Sequence, residues 1–153
     1  MNMSSAQADY VERVGRFWES LSMGRTAGRI LGWLMICDPP HQSAAELRAN
    51  LGVSAGSIST QVRLLQRLSL VERVTFPGSR ASFYQLPDHV WSRSMDAELA
   101  RIVQMRALAE AGSAVTPGIR PERVTELEEV ARFFADEWPG LLERLHQRIE
   151  VGR

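Results

Sequence analysis

The amino-acid sequence predicts a mainly α-helical protein with one small β-hairpin, and three features of the chain support this fold class. Apolar residues recur at helical spacing on both sides of the middle of the chain, beginning at Tyr10 and Val14. A capping box formed by Ser43 and Glu46 opens a pair of short helices that are separated by a turn at Gly52. Two β-prone runs then flank a turn segment. Helix, turn, helix and hairpin in this order predict a winged helix-turn-helix. The helical flanks carry more apolar surface than this small domain can bury, which predicts a helical dimerisation region.

The N-terminal part is predicted to form two helices. The first runs from Tyr10 to about Leu21, and the second runs from about Arg25 to Ile36, where Asp38-Pro39-Pro40 stops it. Glycine recurs at every fourth residue, at Gly24, Gly28 and Gly32. Because glycine costs about 1 kcal/mol in a helix interior, this stripe indicates either close packing of another helix or a ligand or partner at that surface.

The middle of the chain carries the helix-turn-helix and the hairpin. Ser54 can cap the second helix of the pair, which extends through about Leu68. Its predicted inner face, which packs on Leu47 and Leu51, comprises Ile58, Val62 and Leu65. Strands are predicted over 71–76 and 82–86, around the turn segment Pro77-Gly78-Ser79-Arg80-Ala81.

The C-terminal part is predicted to be helical again. One helix runs from Asp88 to about Ala111, a loop covers 112–120, and a last helix starts with Pro121. The last helix has apolar residues at alternating spacings of three and four, which is typical of a helix that packs on a partner helix. Pro139-Gly140 interrupts this seam, so a kink or break is expected there. The predicted domains are N-terminal helices for dimerisation and scaffolding (8–37), the winged helix-turn-helix (41–87) and C-terminal dimerisation helices (88–153).

Charge is distributed unevenly, although the formal net charge is zero. From His41 to Leu86 there are five Arg against two Glu, whereas from Pro121 onward there are five Arg against eight acidic residues. A basic middle and an acidic tail are typical of a chain that offers one face to phosphate groups. No run of 18 apolar residues and no signal peptide is present. We therefore expect a cytoplasmic protein with no membrane partner.

The helix that begins at Ser54 has the strongest functional signal. Helical periodicity puts Thr60, Arg63 and Arg67 on its outer face, with serines on the flanks. Small polar residues near the N-terminus suit a helix that enters the major groove, and Arg63 could bind guanine bidentately. The residues predicted to contact double-stranded DNA are Ser54, Ser57, Ser59, Thr60, Gln61, Arg63, Arg67, Arg73, Ser79 and Arg80.

The hairpin contributes to this prediction because Arg80 stands at its tip, where it could reach phosphate or the minor groove. Arg73 could assist from the strand, or it could have a cross-strand or solvated role. An alternative hypothesis is a winged helix that binds another protein rather than DNA.

At several of these positions the sequence resembles the MarR regulators, particularly their GbsR-like branch. The resemblance rests on the motif Leu-Gly-Val-Ser-x-x-x-Ile-Ser-Thr at 51–60, on the Arg in the wing, and on 25–34 followed by Cys37-Asp38-Pro39. The latter stretch is similar to actinobacterial and mycobacterial members that repress lipid and drug exporter genes. The resemblance implies a homodimer, joined by the first and the last two helices, on a pseudo-palindromic operator. It also implies a repressor that is released by a ligand held between the DNA-binding and dimerisation parts.

Some aromatic and methionine side chains fall near the ligand pocket that this resemblance implies. They are Phe17, Trp18, Trp33, Trp91 and Met95. Such side chains suit a small apolar effector, and they suit a plain hydrophobic core equally well.

Other chemistry has little support in the sequence. Cys37 is the only cysteine, and the anionic Asp38 beside it disfavours a thiolate, so a buried structural thiol is favoured over a redox sensor. The three His are far apart, and Glu143 with His146 makes only two ligands, so no metal site is expected. No catalytic motif or cofactor fingerprint is present, and we expect neither an enzyme nor a cofactor.

Overall fold

The computed structural model describes residues 3–79, 81–115 and 122–151. Chain contacts divide it into two compact units, Met1–Val90 and Trp91–Arg153. The described elements of the first unit are α1 (Ser5–Ser20), α2 (Arg25–Leu34), β1 (His41–Ser43), α3 (Ala44–Leu51), α4 (Ala55–Arg67), β2 (Glu72–Val74) and β3 (Phe83–Gln85). The elements that follow are α5 (Val90–Ala114) and α6 (Glu122–Val151). The predicted fold class, mainly helical with a small antiparallel sheet, is confirmed.

Helix α1 begins earlier than predicted. Ser4 and Gln7 form a reciprocal capping box, in which the Ser4 hydroxyl accepts from the Gln7 amide and the Gln7 side chain accepts from the Ser4 amide. Such a box fixes the first turn without any apolar residue. The prediction placed the start at Tyr10 because it relied on apolar spacing alone. Helix α2 ends at Leu34, two residues before the predicted Ile36.

The glycines of α2 allow close packing against α1. A Cβ added at Gly28 would lie 2.9 Å from the Gly15 Cα and 3.0 Å from the Val14 carbonyl oxygen. A Cβ at Gly32 would lie 3.3 Å from the Val11 Cα. The helix-packing interpretation is therefore confirmed at these two positions. Gly24 is the N-cap of α2 and lies outside the helix interior.

The core of the first unit joins α1 and α2 to the helix-turn-helix. Its most buried side chains, at 2% exposure or less, include Val11, Ile30, Leu31, Leu47, Ile58, Val62 and Leu65. The predicted inner face of α4 and the two leucines of α3 all belong to this core. Gly52 ends α3 in the left-handed conformation, at φ 64°, which glycine adopts without a Cβ penalty.

The sheet has three antiparallel strands in the order β1-β3-β2. The predicted hairpin is present as β2 and β3, shorter than expected. Strand β1 was not predicted. It precedes the α3 capping box directly and pairs His41 with Gln85 and Ser43 with Phe83. β1 has only three residues, and the last of them, Ser43, is also the N-cap of α3. Such a strand is too short to show the alternation of apolar and polar residues that predicts a strand.

The second unit differs from the prediction at two places. Helix α5 continues through Gly112 to Ala114, so the loop does not start at 112; residues 116–121, which include Pro121, lie outside the described residues. Helix α6 is continuous through Pro139, so of the kink or break expected there, the break is absent. Ala131 and Leu142 are both buried on α6, and a separation of 11 residues puts them on one face.

Among the described helices, none combines the length and the apolar character needed to span a bilayer.

Candidate nucleic-acid interface

Helix α4 is fixed at its start by a serine cap and along its inner face by the core. The Ser54 hydroxyl accepts a hydrogen bond from the Ser57 amide at 3.2 Å. Ile58, Val62 and Leu65 are no more than 2% exposed. These contacts leave the opposite face of α4 at the surface, with its N-terminal amides available to an anion.

The outer face of α4 is polar and exposed, as its periodicity predicted. Gly56, Ser59, Thr60, Arg63 and Arg67 are all exposed, and Ser57 is half-buried. No acidic residue is present between Glu46 and Glu72, so the whole helix carries positive charge only. Such a surface is suited to phosphate groups and to the acceptor atoms of base edges.

Arg63 is held against its own helix by Ser59. The Arg63 Nη2 donates to the Ser59 hydroxyl at 2.7 Å, and the Arg63 Nε donates to the Ser59 carbonyl oxygen at 3.2 Å. Residues four apart on a helix lie on the same face. The guanidinium therefore lies along the exposed face of α4, near its N-terminal half.

Gln61 has surroundings that differ from those of the other predicted contacts. Its side chain is half-buried, and its Oε1 atom is buried without a hydrogen-bond partner among the described residues. A Cβ added at Gly24, the N-cap of α2, would lie 3.2 Å from that oxygen. The Gln61 side chain thus packs against the beginning of α2.

The wing is built on an aromatic cluster at its base. The His41 ring lies 4.4 Å from the Phe76 ring and 5.3 Å from the Phe83 ring, measured between centroids. Gln85 donates to Glu72 across the strands at 2.8 Å. These contacts fix the base of the hairpin beside the edge strand β1.

The predicted wing residues are at the surface where they are described. Arg73 is exposed and opposes Tyr84 in the register of β2 and β3. Ser79 is exposed, and its hydroxyl accepts from the Ala81 amide at 3.1 Å. Arg80, the predicted tip residue, lies outside the described residues.

One basic residue at this surface was missing from the prediction. Arg48 is exposed on α3 and lines a cleft of about 310 Å³ together with Ser59 of α4 and Tyr84 of β3. The excess of Arg over acidic residues in 41–86 was the available signal. Arg48 lies on α3, outside the α4 face and the wing for which the sequence pattern predicts DNA contacts.

A second network connects the N-terminal helices to the turn before α4. Arg29 of α2 donates from Nη2 to the Leu51 carbonyl oxygen at 2.7 Å, at the end of α3. Its Nε lies 2.7 Å from the Glu12 carboxylate, which also pairs with Arg25 at 2.7 Å. The Arg25 hydrogen bond lowers the pKa of Glu12 below its usual range, more than partial burial raises it. Glu12 is thereby kept ionised and holds Arg29 at the C-terminal end of α3, where a cation is favoured.

The predicted pocket residues have different surroundings. Phe17 is 58% exposed and packs edge-to-face on Trp18, with ring centroids 5.7 Å apart. Trp33 is 6% exposed and donates from Nε1 to Gln42 at 3.1 Å, so it is a core side chain. Trp91 and Met95, at 43% and 38% exposure, belong to the second unit.

Cys37 is buried, and its surroundings favour the thiol. Burial raises the pKa of Cys37 to about 11, with a further contribution from the charge of Asp38. A group of three or more His, Cys, Asp or Glu that could hold a metal ion does not occur within the described ranges. His146 instead lies 3.6 Å from Asp96, joining α6 to α5.

Comparisons with known proteins agree with this architecture. A family model described as MmpR5-like MarR family transcriptional regulator matches residues 89–148. The HTH-type transcriptional regulator MmpR5 of Mycobacterium tuberculosis is 33% identical over 127 residues, which cover 83% of this chain and 77% of that protein. The crystal structure of a transcriptional regulator superposes with a TM-score of 0.80 at 30% identity, covering 93% of this chain and 99% of that one.

The chain therefore belongs to the MarR family of winged-helix transcriptional regulators. Within that family it is similar to MmpR5. The resemblance noted in the sequence is thus confirmed, and the relatives that match are regulators rather than enzymes.

Proposed function

We propose that this regulator is a homodimeric repressor that binds a pseudo-palindromic operator through α4 and the wing. The observation that carries the proposal is the outer face of α4, which is exposed, polar and free of acidic side chains. The inner face of the same helix is buried in the core, which fixes its position. A helix of this kind suits the major groove. Since it would act on chromosomal DNA, the protein would work in the cytoplasm.

The proposed contacts divide into two kinds. Ser57 and Thr60 lie in the N-terminal half of α4, and Ser59 holds the Arg63 guanidinium beside them, so these three are proposed to face the bases. The remaining contacts are to phosphate and sugar, which fix position but carry no sequence information. They comprise Ser54, Arg67, Arg73, Ser79, Arg80 and the added Arg48. Gln61 is proposed to support α4 from α2 rather than to contact DNA.

This function is tested by titrating the protein into labelled DNA from the region upstream of its own gene. Binding should be saturable, should resist unrelated competitor DNA and should weaken steeply with salt, because phosphate contacts release counterions. Arg63→Ala should reduce affinity by about 1–3 kcal/mol and relax the sequence preference. Arg67→Ala is the matched control, since it removes the same charge from the same face and should weaken all sequences alike. DNA binding whose affinity depends on neither the DNA sequence nor the salt concentration would instead favour the alternative, a winged helix that binds another protein.

We further propose that a small apolar effector releases the DNA. The support is Phe17, which is exposed and packs on the half-buried Trp18 in the first unit. In the second unit, Trp91 and Met95 are also exposed. Trp33 has weaker support because it is buried and hydrogen-bonded. The probe 1-anilinonaphthalene-8-sulfonate should bind saturably and lower DNA affinity, and Phe17→Ala should weaken both effects. Probe binding that leaves DNA affinity unchanged would contradict a release site.

A further inference from the structure

We infer that Ser59 is a positioning residue that presents the Arg63 guanidinium to a guanine in one fixed orientation. This inference rests on the proposed function, in which Arg63 contacts a base. Ser59 was predicted to contact DNA itself, but the structure gives its hydroxyl and its carbonyl oxygen another use. Both accept hydrogen bonds from Arg63, at 2.7 Å and 3.2 Å.

The identity of the donating atoms determines which part of Arg63 is left for DNA. A guanidinium has five N–H donors in a planar fork. Nε and Nη2 present two of them along one side edge, and this is the edge that Ser59 engages. The end of the fork presents one N–H from Nη1 and one from Nη2 in parallel. That end has no acceptor among the residues that the structure describes.

The free end has the geometry that guanine requires. O6 and N7 of guanine are adjacent acceptors in the major groove, and a bidentate Arg satisfies both. An exposed Arg normally loses rotamer freedom when it binds. Ser59 removes part of that cost before binding, because it already holds the guanidinium on the outer face of α4. Ser59 therefore acts on specificity through Arg63 rather than through a contact of its own.

The test compares Ser59→Ala, Ser59→Thr, Arg63→Ala and the double variant on a duplex that contains the binding site, which is first located by DNA footprinting. The same duplex is also made with 7-deazaguanine, which lacks the N7 acceptor, at each guanine in turn. Ser59 is exposed at the surface of α4, so these variants should fold, and thermal unfolding verifies this. The parent should lose about tenfold in affinity at one modified guanine, the scale of one base contact.

Ser59→Ala should lower affinity for the unmodified site by roughly three- to tenfold and reduce the penalty at that guanine. Ser59→Thr, which keeps the hydroxyl, should behave like the parent. In the Arg63→Ala background, Ser59→Ala should change affinity by less than about twofold, because the two residues act as a unit.

Two results would overturn the inference while leaving the proposed function intact. One is a Ser59→Ala variant that matches the parent on every duplex. The other is an equal loss with and without Arg63, since this would mean that Ser59 contacts DNA directly. A parent protein without any site preference would reject the proposed function first, and the inference with it.

Discussion

Single residues in this structure take their roles from the atoms that surround them. Trp33 and Gln42 illustrate this, because an indole that looked suitable for a ligand donates instead to a buried amide at 3.1 Å. Asn50 donates to the same amide oxygen at 3.3 Å. A polar group buried in this way is costly unless it is paired. Composition could identify the aromatic side chains, whereas their hydrogen-bond partners depend on a strand, β1, that has no sequence signature.

Cys37 provides a prediction at this scale. Because burial raises its pKa to about 11, the native thiol should react very slowly with 5,5′-dithiobis(2-nitrobenzoate) at pH 7. The rate should keep rising as the pH approaches 11. Unfolded protein in urea should react with an ordinary thiol profile and serves as the control. A native thiol that titrates at or below its ordinary value would contradict the buried, structural role.

At the scale of elements, caps and glycines decide where helices begin and how closely they pack. The Ser43–Glu46 box and the Ser54 cap were predictable because each depends on residues adjacent in sequence. The Ser4–Gln7 box was not predicted, because the start of α1 was placed from the spacing of apolar residues and neither residue of the box is apolar. The continuity of α6 across Pro139 could not be predicted either. Buried residues lie on both sides of the proline, at Ala131 and Leu142, and the sequence around Pro139 does not reveal this burial.

The contact between α1 and α2 predicts a large effect from a single methyl group. Gly28→Ala should destabilise the protein by about 1–3 kcal/mol, because the new Cβ would meet backbone atoms of α1 that cannot move independently. Gly56→Ala is the matched control. It lies on α4 with nothing within 4 Å of an added Cβ, and alanine should stabilise that helix by up to about 1 kcal/mol. Urea unfolding of both variants measures the difference, and equal stabilities would contradict the close approach.

The capping box of α3 predicts a pH dependence. Hydrogen bonds from the Ser43 amide and hydroxyl lower the pKa of Glu46 below 4.5. Because the pKa of Glu46 is lower in the folded state than in the unfolded state, its carboxylate stabilises the fold above pH 4.5. This contribution is lost as the pH falls through the folded-state pKa. Glu46→Gln removes this titration but keeps an acceptor for Ser43. The stability of the parent relative to Glu46→Gln should therefore shrink below pH 4.5, as followed by urea unfolding from pH 7 to pH 3. A constant difference over that range would contradict the role of the ionised carboxylate.

At the scale of the whole molecule, the apolar side chains that remain at the surface of α6 are the ones that the proposed dimer would bury. Phe133, Phe134, Val130 and Leu141 of α6 are 39–61% exposed, and their spacing puts them within an arc of about 100° on one face. Exposed patches of this kind on a single chain mark interaction surfaces. Phe134 and Leu141 belong to the seam that the alternating spacing predicts, whereas Val130 and Phe133 lie beside that seam and were not predicted.

Phe133→Asp should shift the protein from dimer to monomer at micromolar concentration, since the new carboxylate would be buried unpaired in the proposed interface. Phe133 is 61% exposed in the single chain, so the substitution should not unfold it. Phe133→Leu keeps an apolar side chain and should remain dimeric. Analytical ultracentrifugation gives the masses, and a dimeric Phe133→Asp variant would mean that the interface lies elsewhere.

The central claim is that α4 reads DNA as part of a two-fold symmetric dimer, and footprinting on genomic DNA tests it most directly. Hydroxyl-radical cleavage should reveal two protected half-sites, related by two-fold symmetry and separated by one helical turn, about 10 base pairs, or a multiple of it. Arg63→Ala should lose this protection at concentrations where the parent retains it. Uniform cleavage along the DNA at every concentration of a folded, dimeric parent would contradict the account.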